Sequence, residues 1–175
     1  MPPVAAGALT RTAPAQEGML LPSRLRSVRD SPTGTTRIQL WRWIQEFTDA
    51  VSSAANVPLY DGPAEQVEVR IGNARMALSA ASTSVANMRD VWPEGEPIYQ
   101  NLATAIRELA AREKHAREFF EIIGSRSPIE RSAGTIRQAL AKNRQHLLKA
   151  GACCEEAARL LHDWTGLTLA FDPEW

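Results

Sequence analysis

Eight apolar residues in the middle of this chain, Val67, Ile71, Ala74, Leu78, Ala81, Val85, Met88 and Trp92, recur at alternating spacings of four and three without a miss. A strand repeats every second residue, whereas an α-helix lays this series along one side. A long helix with one apolar stripe needs other helices to cover it, which points to an all-α bundle. Asp61, Gly62 and Pro63 precede the series, with Asp or Gly expected as N-cap and Pro63 as the first helical residue. Trp92-Pro93 and Gly95 stop it. The opposite face holds Val69, Met76, Ala80 and Thr83, so this helix is suited to contacts on two sides.

Three further segments carry the same period. Over residues 35–56, Leu40, Trp43, Ile44, Phe47, Val51 and Ala54 share one sector, while Ile38 and Trp41 fall outside it. Over 96–123 the stripe is Ile98, Leu102, Ala105, Leu109, Ala116, Phe120 and Ile123, broken by Arg112 and Glu113, with Gly124 as the expected stop. Over 128–165, Ser127, Pro128 and Glu130 spell a capping box, and Ile136, Leu140, Asn143, Leu147, Ala150, Cys154, Ala157, Leu161 and Trp164 follow as the stripe. Gly166 ends it, and Leu167, Leu169 and Phe171 alternate in an extended tail. Short connections make the last three helices antiparallel neighbours, so the expected architecture is an up-down four-helix bundle over residues 34–175. Residues 1–33 contain five prolines and no helical period, and read as a disordered arm whose apolar patch is Met19 to Leu21 with Leu25 and Val28.

Charge and motif content narrow the function. Twenty basic side chains balance twenty acidic ones, so no bulk field selects nucleic acid or an anionic membrane, and nucleic acid is an unlikely partner. The absence of a long apolar run argues against a membrane span, and the start of the chain lacks a basic region before an apolar one, so a cytoplasmic location is expected. Cys153 and Cys154 are adjacent, about 100° apart on a helix, and are expected to pack rather than to pair. The chain has no glycine-rich phosphate loop, no G-x-S-x-G, no H-E-x-x-H and no C-x-x-C. The di-iron pattern E-x-x-H also fails, because the residues three before His115, His146 and His162 are Arg112, Asn143 and Arg159. No catalytic residue, metal or cofactor is therefore expected.

Two groups of residues remain as candidate sites. In an antiparallel hairpin turning near residue 126, position 112 comes level with about 140, so Arg112, Glu113, His115 and Asn143 are expected to form an interior polar layer or to line a ligand pocket. An interior Asn specifies register at a cost in stability, so Asn143→Leu is expected to leave the fold intact or strengthen it. The second group, Ile38, Trp41, Val69 and Met76, is apolar and lies off the core stripes, as a contact surface would. Charge is also segregated: residues 126–149 hold six basic and one acidic side chain, net +5, and residues 34–98 five basic and eight acidic, net −3. Those patches are expected to pair within the bundle. Trp164-Thr165-Gly166 resembles the turn of the small secreted helical proteins known for a W-x-G tripeptide; the likeness covers three residues and brings no functional residue with it. The favoured expectation is a non-catalytic interaction module, an adaptor, assembly factor or regulatory subunit, acting on a protein partner or on itself. The alternatives are a small-molecule-binding bundle and a secreted effector.

Overall fold

The long stripe of the middle helix is buried from end to end, and the rest of the fold is arranged around it. The structure, a computed structural model, describes residues 31–125, 133–173 and 175. These form an up-down four-helix bundle: α1 (Gly34–Ala55), α2 (Ala64–Val91), α3 (Glu96–Ser125) and α4 (Ala133–Thr165). α1 lies along α2, α2 along α3 and α3 along α4. The main core takes Leu40, Ile44, Phe47, Val51 and Ala54 from α1, Leu78 to Met88 from α2, Ile98 to Leu109 from α3 and Ala150 to Leu161 from α4. A smaller cluster of Leu59, Val67, Ile71 and Ala116, with Tyr60 and Phe120 against it, closes the other end. The residues expected as arm up to position 30, and the capping box at Ser127 to Glu130, lie outside the described residues.

Two helix ends differ from the sequence expectation. Pro63 has an extended ψ of 148° and is the N-cap itself, its carbonyl accepting from the backbone N–H of Gln66 and Val67. Gly62, at φ 90°, makes the turn that Pro63 cannot. Gly124 does not stop α3, which continues through it to Ser125. Between α2 and α3 the chain needs only the 3-10 turn Pro93–Gly95. The buried Tyr99 hydroxyl lies 3.0 Å from the Met88 carbonyl and 2.7 Å from that of Trp92, donating to acceptors that also receive the backbone N–H of Trp92 and of Gly95, and so ties α3 to the end of α2.

The C-terminal tail fills the space between α1 and α4. Thr165 ends α4, Gly166 turns at φ 74°, and the chain then runs alongside α1. Leu169 is buried, Phe171 packs edge-on against Phe47 at 6.2 Å, and the backbone N–H of Asp172 donates to Ser52 Oγ. At its far end Trp175 settles over Gly151, where a β-carbon would stand 2.5 Å from the indole Cγ. Gly151 is therefore the space that the last residue occupies. Gly151→Ala is expected to cost about 1–2 kcal/mol by displacing that ring. In a Trp175→Ala background the same change should become neutral or favourable, because alanine exceeds glycine in helix propensity by about 1 kcal/mol. Urea unfolding of the four proteins measures this, and an equal cost in both backgrounds would contradict it.

Candidate functional site

α1 ends at Ala55 with no basic residue in its last turn, so its terminal carbonyls need donors from elsewhere. Arg112 of α3 supplies them. Its guanidinium is buried, with Nη1 donating to the Ala54 carbonyl at 3.2 Å, Nη2 to that of Val57 at 2.6 Å and Nε to Asn143 Oδ1 of α4. One side chain thus ties three helices together, and its charge sits against the negative end of the α1 dipole. Burial pushes the guanidinium down to about 10. Arg112 and Asn143, two members of the expected layer, are thus in contact, and this alters the expectation for Asn143: the amide is an acceptor that Arg112 uses.

The other two residues of the expected layer lie apart. Glu113 turns toward α2, where Arg75 Nη2 reaches it at 2.5 Å, and Arg117 joins at 3.4 Å. His115 Nδ1 lies 2.6 Å from the Tyr60 hydroxyl of the α1–α2 loop. Burial raises Tyr60 to about 12 and lowers His115, Lys142 and His146 adding to the second shift, so both groups face each other uncharged near neutrality. His115 also borders a cavity of about 310 Å³ between α3 and α4, with Glu118, Phe119, Gln138 and Lys142 among its walls. Arg112, Glu113 and Asn143 are not among them, so the structure makes three separate polar contacts where one layer was expected. A fourth, His146 Nδ1 to Glu108 Oε2 at 2.8 Å, joins α3 to α4 nearby. Sequence reasoning missed it because Glu108 interrupts no apolar series. It follows the same antiparallel level as Arg112 and Asn143, and that sum of positions was the available signal.

The four apolar residues placed off the core stripes are exposed: Ile38 70%, Trp41 55%, Val69 65% and Met76 73%. Ile38 and Trp41, with Gly34, Arg37 and Leu167, border an almost wholly apolar groove of about 310 Å³. It lies where the N-terminal segment enters the bundle, Ser31 Oγ donating to the carbonyl of Trp164 beside it. Val69 and Met76 lie on α2 opposite its core stripe, and from Met76 to Met88 that helix carries no charged residue at all. Cys154 is buried in the core, which pushes its thiol up to about 12, and partly buried Cys153 is shifted the same way, first by burial.

Two sequence expectations are corrected here. Ile136 and Leu140 lie on the α4 core stripe yet are 42% and 46% exposed, because α1 has already ended at their level. The expected pairing of the charge patches is not made by the described part of the basic one: among the described residues, Arg137, Lys142, Arg144 and Lys149 of α4 take part in no ion pair. Among the described residues, too, no group of three His, Cys, Asp or Glu is placed to hold a metal ion, and no helix is long and apolar enough to cross a membrane. Compared with known proteins, the chain matches no family model, no curated protein and no solved structure.

Proposed function

We propose that the chain is a non-catalytic interaction protein, an adaptor, assembly factor or regulatory subunit, which binds a protein partner or a second copy of itself through the Ile38–Trp41 face. The observation that carries this reading is the apolar groove bordered by Ile38, Trp41 and Leu167, with more than half of the indole in solvent. A tryptophan left outside the core of its own domain loses contact energy that a partner can supply, and tryptophan is the residue most enriched among interface hot spots. Met76, at the start of the uncharged stretch of α2, and Val69, two turns before it, offer further exposed apolar area. A small-molecule role has less support, because Arg112, Glu113 and Asn143 have protein partners and only His115 borders the α3–α4 cavity.

Trp41→Ala combined with Ile38→Ser is expected to weaken association about thirtyfold or more, the usual consequence of truncating a hot-spot tryptophan. The melting temperature should move by only a few degrees, since neither residue is part of the core. Sedimentation equilibrium reads self-association, and stoichiometric co-purification from the native host reads a hetero-partner. Deleting residues 1–30 tests the competing arrangement, in which the chain's own arm covers the groove. A large loss of stability with association unchanged would show that the face is internal and would remove the reading.

A further inference from the structure

The core stripe of α4 runs out of cover before α4 runs out of residues. Ala150, Cys154, Ala157 and Leu161 lie on it and are buried. Toward the α3–α4 turn the same stripe continues through Leu147, Asn143, Leu140 and Ile136. Arg112 binds both the Ala54 carbonyl and Asn143, which puts the end of α1 level with Asn143. Beyond that level no α1 residue remains, and Leu140 and Ile136 stand open. With Leu148 on the flank, these apolar residues span about 18 Å, three helical turns.

The α4 border of this opening, among the described residues, has one sign of charge. Arg137 and Arg144, a heptad apart, lie on the flank next to Leu140, both exposed and neither in an ion pair among the described residues. From Ala133 to Cys154, α4 contains no Asp or Glu. The chain's own N-terminal arm is a poor complement, since Arg11, Arg24, Arg26 and Arg29 outnumber Glu17 and Asp30. A lipid surface is a poor complement for a different reason: Ile136 and Leu140 share the stripe that faces the bundle axis, which a flat bilayer reaches less well than a cylinder does. We infer that this end of α4 docks an acidic amphipathic helix from a partner protein. Its apolar side continues the fourth position of the bundle where α1 stops, and its carboxylates meet Arg137 and Arg144.

The test uses the full chain and a fluorescein-labelled amphipathic peptide, Leu on one face and Glu on the other, with a Leu/Lys version as control. The Leu/Glu peptide should bind, more weakly as salt rises, and protect the backbone amides of residues 136–148 from hydrogen exchange. Arg137→Glu with Arg144→Glu, and separately Leu140→Gln, should each weaken it about tenfold or more. All three side chains are exposed, so these variants are expected to fold, and circular dichroism checks that they do. Trp41→Ala should leave peptide binding unchanged, which keeps this result distinct from that of the α1 face. Equal binding of the Leu/Lys peptide, no binding of the Leu/Glu peptide, or indifference to the substitutions would overturn the inference. So would binding of phosphatidylserine vesicles that the same substitutions abolish, or self-association that Leu140→Gln abolishes, since either assigns the opening to another occupant.

Discussion

Arg112→Met is expected to lower the unfolding free energy by about 2–4 kcal/mol, measured by urea denaturation. The change leaves the Ala54 and Val57 carbonyls and the Asn143 amide without the donors that the guanidinium gives them. A buried acceptor left without a donor typically costs about 1–3 kcal/mol. The sum is smaller than three such losses, because methionine also relieves the desolvation of a buried cation and Asn143 is only partly buried. Asn143→Leu should cost about 1–3 kcal/mol, since it strips a hydrogen bond from a charged donor. That reverses the gain expected from an interior amide considered alone. In the Arg112→Met background Asn143→Leu should cost little, and the resulting coupling of about 1–2 kcal/mol identifies the two as one device. An Arg112→Met protein within about 0.5 kcal/mol of the parent would mean that water satisfies the α1 terminus as well as the guanidinium does.

Gly95→Ala is expected to be comparably damaging, by about 2–4 kcal/mol, although it adds a single methyl group. A β-carbon at this position would lie 2.7 Å from the Tyr99 hydroxyl and 2.8 Å from the Trp92 ring. Both rings are buried, and the hydroxyl is fixed by the Met88 and Trp92 carbonyls. Neither can move without breaking the hydroxyl's hydrogen bonds to the end of α2 or opening the edge-on contact of Trp92 with Trp164. The contrast with Gly151 is instructive. There the obstructing group is the ring of Trp175, which is only partly buried and shifts at lower cost than two core rings. A loss below about 0.5 kcal/mol for Gly95→Ala would show that the α2–α3 corner is softer than its packing implies.

Much of the architecture was legible because local order and burial agree along most of the chain. The stripes of α1, with Trp43 partly covered, of α2 and of the first half of α3 are buried as their spacing requires, and the positions that spacing excluded, Ile38, Trp41, Val69 and Met76, are exposed. Arg112 and Glu113 were conspicuous because they interrupt a helical period, and both are buried. Periodicity records which side of a helix faces inward, and it held wherever a neighbouring helix was present.

By itself the sequence determined the four helices, their up-down order and the face that each turns to the core, since these follow from side-chain spacing and short connections. Tertiary structure alone decided how far each neighbour extends. α1 stops a few turns short of the end of α4, so Ile136 and Leu140, inward by period, are open. The tail enters between α1 and α4, so Gly151, an apparent helix breaker, becomes the seat of Trp175. Arg112 and Glu113 are adjacent in sequence but about 100° apart on the helix, so one caps α1 and the other binds Arg75 of α2. Partner choice of this kind depends on the length and position of other elements, which the period of a single helix does not encode.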